Sequence, residues 1–571
     1  MSLFKELKRR NVFKVGIAYV VVAWLVLQVA DVLFNNLQAP AWVFRVLLVF
    51  LVVGFPIAVL FAWAFELTPE GLRRESTADK EEALAGKPIV LATETPLSES
   101  QLSDSSGKSI AVLPFVNMSD DEGNEYFSDG VSEEILNLLS KTPQLRVAAR
   151  TSSFAFKGKD SKISDIGDLL RVDHILEGSV RKAGKQVRIT AQLVKVSDGY
   201  HLWSESYDHT LDNIFAIQDE IASSVAEQLR ITLLGGQPSS AETDPEAFSL
   251  YLRARELFRQ GSSQGWEQAE MLLKQSLDIA PDYAASWANL ADVYIEQSHK
   301  ALIPANEGYE LAREAASKAI TIDSCNADAH ATLGDISATY DVELQPAAHH
   351  IGRALALQPT NSSILQKAAY VAVALNRLNE AIRLLEYAVI QDPVNSLCHA
   401  RLGVNYFFAG QFEKAIGSLG TSLQLSPKRI GANYYMGVAY LLKGDTKSAI
   451  SFMELEAAIG STWRFNGYAL IYYTLGEDQK SIESLNKLIE HDAKGAAFNI
   501  AYICAFRGEN DRAFEWLDKA LEYKDPGLIE IGVHPLITRL QSDPRWQPFL
   551  KKVGRSPEQL AKIDFNVALP G

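Results

Sequence analysis

Seven carboxylates fall within the fifteen positions from Asp120 to Glu134: Asp120, Asp121, Glu122, Glu125, Asp129, Glu133 and Glu134. Side chains of this type at this density could hold a hard cation or supply a catalytic acid pair. The calcium-loop template fails on spacing. Counted from Asp120, position 6 is Glu125 where glycine is needed, and position 12 is Val131 where a bidentate glutamate is needed. From Tyr126 onward, Phe127, Val131, Ile135, Leu138 and Leu139 recur at helical spacing. The acidic run therefore spans a turn and the first turns of an amphipathic helix. That helix is expected to carry Asp129, Glu133, Asn137 and Lys141 on its wetter face. Carboxylates in a first helical turn also gain a few tenths of a kcal/mol (roughly) from the helix dipole. The cluster reads as the polar dressing of a strand–turn–helix connection.

Other candidate chemistry falls away on the same kind of test. Gly107-Lys108-Ser109 invites a phosphate loop, but Leu102 stands where that motif needs its first glycine, and a strand follows where a helix should open. His349 and His350 are neighbours in a helical segment, so their rings diverge. HExxH, GxSxG and a strand-borne GxGxxG are missing from the sequence. The three cysteines, Cys325, Cys398 and Cys504, form no CxxC, which argues against a disulfide framework or a zinc site. No catalytic, cofactor-binding or metal-ligating residue is assigned, and the chain is expected to be non-enzymatic.

The elements around these residues divide the 571-residue chain into parts. Residues 15–34 and 43–65 are apolar runs long enough to cross a bilayer as helices. Lys5, Lys8, Arg9, Arg10 and Lys14 precede the first run; Arg73, Arg74 and Lys80 follow the second. The expectation is a two-helix transmembrane hairpin within residues 1–74, both ends on the cytoplasmic side, in a bacterial inner membrane. The bilayer is then a partner through residues 15–65. Residues 75–108, rich in Ser, Thr and Glu, read as a flexible tether. Residues 109–235 read as one α/β domain. It has a buried strand at 109–115, a strand and turn over "LRVAARTSSFAFKGK", and a short helix capped by Ser164. Two strands joined at Lys182–Lys185 follow, with a closing amphipathic helix.

Residues 244–530 carry an internal repeat. Pro359, Pro393 and Pro427 are 34 apart, and each lies twelve residues after an alanine (Ala347, Ala381, Ala415); Ala269 and Pro281 repeat that spacing. A first-helix pattern recurs as Trp287-Leu290-Ala291-Tyr294, His399-Leu402-Gly403-Tyr406 and Asn433-Met436-Gly437-Tyr440. Gly410, Gly444, Gly476 and Gly508 mark turns. This is the tetratricopeptide period, and about eight helix pairs are expected to stack into an all-α superhelix. Small residues let paired helices approach, and proline ends the second helix of each pair. Gln366, Tyr370, Phe407 and Tyr434 lie off the consensus packing face and are candidates to line a protein-binding groove. Residues 531–571 are expected to cap the last repeat.

The segments "IAVLPFVNMSDDEGNEYFSDGVSEEIL", "RTSSFAFKG", "ILEGSVRKAGKQVRITAQLV" and "DGYHLWSESYD" resemble the TolB amino-terminal-domain-like module. The opening "FKELKRRNVFKVGIAYVVVAWLVLQVADVLF" is similar to the membrane module of bacterial tetratricopeptide proteins, whose relatives often carry a winged-helix or nucleotide-cyclase domain. The resemblance implies binding and regulation, and it transfers no ligand and no catalytic residue. Net charge is −15, and residues 1–74 are the positive part at +4, which disfavours nucleic acid as a partner. The sequence thus points to a membrane-tethered adaptor that binds protein partners through its repeats, in signalling or complex assembly. A ligand sensor acting through the α/β domain and a periplasmic envelope-assembly protein are the alternatives. Oligomeric state is left open.

Overall fold

The computed structural model describes residues 65–68, 71–74, 108–229, 243–458 and 462–569, apart from positions 120, 141, 143, 144, 160 and 301. The chain divides into two units, Met1–Thr95 and Pro96–Gly571. In the first, β1 (Phe65–Thr68) pairs antiparallel with β2 (Gly71–Arg74), Phe65 opposite Arg74.

This corrects the membrane assignment. Phe65, expected to end the second spanning helix, opens a β-strand; hydropathy records apolarity and does not fix the backbone that carries it. The remainder of both apolar runs, 15–34 and 43–64, lies outside the described residues. Among the described residues no helix is long and apolar enough to cross a membrane. The longest, Ala305–Ile322, has 18 residues and carries Glu307, Glu310, Arg313, Glu314 and Lys318. The transmembrane hairpin, the bilayer as partner and the multi-pass inner-membrane location are therefore withdrawn from the fold class and the localisation. The supported architecture is a small sheet domain followed by a helical solenoid.

The sheet domain opens the second unit. Its elements are β3 (Lys108–Val112), β4 (Val116–Asn117), α1 (Glu125–Ser140), β5 (Leu145–Val147), α2 (Arg150–Phe154), α3 (Ile163–Leu170), β6 (His174–Ala183), β7 (Gln186–Lys195), β8 (His201–Thr210) and α4 (Ile214–Gln228). Strand order is β5-β3-β6-β7-β8, with β4 beside β6. The β5, β3 and β6 strands run parallel, and β6, β7 and β8 form an antiparallel meander. Alternation along β3 supplies two faces: Ile110 and Val112 join the core beneath α1 and α4, while Ala111 faces Ile166 and Leu170 of α3. Three local expectations change. The region after β5 forms the helix α2. Lys162, not Ser164, stands at the N-cap of α3, without a side-chain cap. The hairpin gains a third strand, β8, whose residues are mostly exposed.

Sixteen helices follow: α5 (Pro245–Arg259), α6 (Ser263–Ile279), α7 (Ala284–His299), α8 (Ala305–Ile322), α9 (Ala327–Thr339), α10 (Leu344–Leu357), α11 (Ser362–Ala374) and α12 (Leu378–Gln391). The array continues with α13 (Ser396–Phe408), α14 (Phe412–Leu425), α15 (Ala432–Leu442), α16 (Thr446–Ala458), α17 (Trp463–Thr474), α18 (Asp478–Asp492), α19 (Ala497–Phe506) and α20 (Asn510–Glu522). They make eight antiparallel pairs. Pro359 and Pro393 follow the ends of α10 and α12, and the asparagine two positions on caps the next helix. Asn361 accepts from the Ser363 and Ile364 amides, and Asn395 from those of Leu397 and Cys398. Within a pair, Gly403 permits close approach, since a Cβ there would meet Leu419 Cγ at 2.6 Å. First helices also touch one another from pair to pair, which places them on the inner, more tightly curved side. After α20 come two 3₁₀ segments, Pro526–Glu530 and Pro535–Ser542, then α21 (Trp546–Lys552) and α22 (Pro557–Leu560).

Candidate protein-binding groove

Glu133 is the residue of the acidic run that the fold uses most. It was expected on a wet helix face, as was Asp129; both are buried. The reason is three cations brought from elsewhere. Arg150 at the start of α2 donates to Glu133 Oε2 at 2.8 Å, and Arg255 and Arg259 of α5 both pair with the same carboxylate. Arg255 also reaches Glu134 at 2.7 Å, and Arg259 lies 3.7 Å from Glu256. Three carboxylates thus meet three guanidiniums. Burial alone would raise the Glu133 carboxyl, but the surrounding arginines outweigh it and hold it below its ordinary value. Asp129 pairs with Lys157 at 2.5 Å, yet burial leaves its carboxyl raised. The network is a joint between the sheet domain and the first repeat. A second joint lies further along: Ser152 of α2 donates to Asp392 at 2.6 Å, and the Ala149 amide donates to the Gln391 carbonyl at 3.0 Å. Among the described residues, no group of three or more His, Cys, Asp and Glu could hold a metal ion.

The inner face changes character along the array. In the first half it is charged. Asp292 of α7 accepts from Thr332 at 2.8 Å, and burial raises its carboxyl to about 6. Lys367 of α11 lies 3.4 Å from Asp335 of α9. Arg401 of α13, where the second half begins, is exposed and interacts with the Asp335 carboxylate. In the second half the face is aromatic: Phe407 and Phe408 of α13, Tyr434 and Tyr435 of α15, Trp463 of α17, and Phe498 and Tyr502 of α19.

That aromatic half is occupied by the chain itself. His534, between the two 3₁₀ segments, stacks on Tyr502 with ring centroids 4.3 Å apart and planes 16° apart. It also meets Phe408 at 5.4 Å, Phe498 at 6.0 Å and Phe407 at 6.1 Å. The four candidate groove residues are therefore not equivalent. Phe407 is 1% exposed beneath His534. Tyr434 is also 1% exposed, with its hydroxyl 2.9 Å from that of Tyr502. Gln366 is buried and donates to the Ser362 carbonyl at 3.1 Å. Tyr370 alone lines open space, a cavity of about 220 Å³ shared with Leu528, Ile529 and Arg555. The covering residue His534 was missed because it lies 100 or more residues from all four. The tail does more than cap the last repeat: it crosses back to α11.

The tail also carries a pH signature. Burial pushes the Glu530 carboxyl up to about 8, with the Asp525 carboxylate adding to it, and pushes the His534 imidazole down to about 3. A raised carboxyl contributes stability that is complete below its ordinary 4.5 and lost as pH rises through about 8. A depressed imidazole contributes stability present above its ordinary 6.5 and lost as pH falls through about 3. The two slopes oppose between 4.5 and 6.5, and Glu530 acts alone above that window. Thermal melting is expected to decline from pH 6.5 to 8.5, and Glu530→Gln to flatten that decline while leaving the acid limb intact. An unchanged slope in the variant would remove Glu530 as its source.

Comparisons with known proteins bear on parts of the chain. Residues 106–224 match the family model described as the HilA/YgeH-like transcriptional regulator, second domain. The chain is similar to a putative adenylate cyclase 3 of Rhizobium meliloti (strain 1021), 43% identical over 187 residues, 32% of each chain. It is also similar to the transcriptional regulator HilA of Salmonella typhimurium, 23% identical over 278 residues, 47% of this chain and 43% of the relative. The chain thus spans 32% and 43% of the length of these two curated relatives. Among solved structures, PilF of Pseudomonas aeruginosa is 20% identical with a TM-score of 0.30, covering 36% of this chain and 93% of that one. The tetratricopeptide-like character rests on the eight helix pairs and their 34-residue period in this chain.

Proposed function

We propose that this protein is a non-enzymatic scaffold whose repeats bind segments of other proteins, in signalling or complex assembly. The observation that carries the reading is the curved inner face built by the first helices of eight pairs. Midway along, that face presents Lys367, Asp335 and Arg401, a set of charges suited to selecting a polar protein segment. The TolB-like reading of residues 109–235 makes that domain the regulatory input, and the Glu133 and Asp392 joints would pass its state to the repeats. The acidic net charge favours protein over nucleic acid as partner. A photo-crosslinking residue at position 401 is expected to trap discrete partners in cells. The same residue at position 271, where Met271 is 53% exposed on the second helix α6, serves as the outward control. Equal adducts at both positions would overturn the reading.

A further inference from the structure

The last residues of the chain sit on the rest of the protein as a bound peptide would. Beyond α22, Ile563, Phe565, Val567 and Leu569 pack toward the repeat core, while Lys562, Asp564, Asn566 and Ala568 are exposed. This period of two is that of an extended segment laid on a surface. Its main chain is gripped from one place. Arg377, at the turn between α11 and α12, donates to the Phe565 carbonyl at 2.6 Å and to the Ile563 carbonyl at 3.0 Å. Phe565 is 2% exposed. Just upstream, Arg555 donates to the Ala374 carbonyl at the end of α11, at 2.8 Å.

We propose that the Arg377 turn is a docking site for an extended, alternately apolar protein segment with a central aromatic residue, and that residues 562–569 are its built-in occupant. The proposal rests on the scaffold reading above and names one site and its regulation. An arginine holding two carbonyls spaced i and i+2 reads backbone, not identity, so another chain offering the same alternation satisfies it. Specificity then comes from the pocket that takes Phe565. Because the occupant is tethered, its effective concentration is on the order of millimolar, so a free segment competes only weakly until the tail is released. Release is local: the 3₁₀ segments and α21, which cover the last repeat, lie upstream of the gripped residues.

The test uses the chain ended at Ala561, which keeps α22, and a fluorescent peptide of residues 562–571, KIDFNVALPG. The peptide is expected to bind the shortened chain and to bind the full chain at least tenfold more weakly. Phe565→Ala in the peptide, or Arg377→Ala in the shortened chain, is expected to weaken binding at least tenfold. Equal binding to full and shortened chains, or binding indifferent to both changes, overturns the proposal. Should the shortened chain not fold, the full chain decides: Arg377→Ala is expected to speed hydrogen exchange of the 562–569 amides at least tenfold, and an unchanged rate overturns the proposal. The crosslinking at position 401 is independent of this site, so failure here leaves the scaffold reading standing on its own test.

Discussion

Glu133→Ala is expected to lower the stability of the joint between the sheet domain and the first repeat by about 3–5 kcal/mol, the usual cost of removing one partner from a buried ionic cluster. The Glu133 side chain is 7% exposed, and those of Arg255, Arg259 and Arg150 are 14%, 25% and 25% exposed. Without the carboxylate, three guanidiniums face one another with Glu134, Glu256 and, at longer range, Asp328 to offset them. Like charges at such separations repel strongly where water is partly excluded. Glu134→Ala is the control. It removes one contact to Arg255 from a side chain 22% exposed and leaves Glu133 to hold all three cations, so about 1 kcal/mol is expected. Urea unfolding of both variants, with hydrogen exchange to locate the loss to α1 and α5, measures the difference. A Glu133→Ala loss no larger than that of Glu134→Ala would mean that the arginines find other partners.

The second large effect concerns His534. Its imidazole is buried among Tyr502, Phe407, Phe408 and Phe498, and burial holds it neutral. His534→Ala leaves a void between α13 and α19 that aromatic neighbours cannot readily fill, and about 3 kcal/mol is the expected loss. His534→Phe keeps the stacking area. What it gives up is one long contact, in which Nδ1 accepts from the Leu536 amide at 3.4 Å, so about 1 kcal/mol is expected. The pair of variants separates packing from hydrogen bonding. Denaturant midpoints read both, and equal losses would show that the imidazole nitrogen, not the ring area, holds the segment in place.

The repeat array was legible because its signals are local. Pro359 and Pro393 stop a helix by lacking an amide hydrogen, and Asn361 and Asn395 start the next one two residues on; neither step needs information from far along the chain. The sheet domain was legible where apolar residues alternate, as in β6 and β7. Strand β8 was not, because Ser204, Glu205 and Ser206 lie along an exposed edge and leave no alternating signal. The interior use of Glu133 was hidden for a different reason. Helical periodicity assigns a residue to a face, but it does not reveal that Arg255 and Arg259, 122 and 126 residues later, will meet it there. Phe407 and Tyr434 looked like groove residues for the same cause, since the cover of Phe407 comes from His534 and that of Tyr434 from Trp463 and Tyr502. The apolar runs at 15–34 and 43–65 gave the strongest hydropathy signal in the chain and the reading that had to be withdrawn.

Arg377 and Arg555 tie together parts of the chain 181 to 188 residues apart. A linear stack of helix pairs can fray from its end, one pair at a time, each loss costing only one neighbour. Here the end is fastened to a turn several pairs upstream, so the repeats from α11 to α20 form a closed loop of contacts. Stretching that loop, or peeling its last pair, first strains the fastening at Arg377. The C-terminal half of the array therefore behaves as one mechanical element, and the pairs before α11 are closed separately, through the sheet domain, by the Glu133 and Asp392 joints.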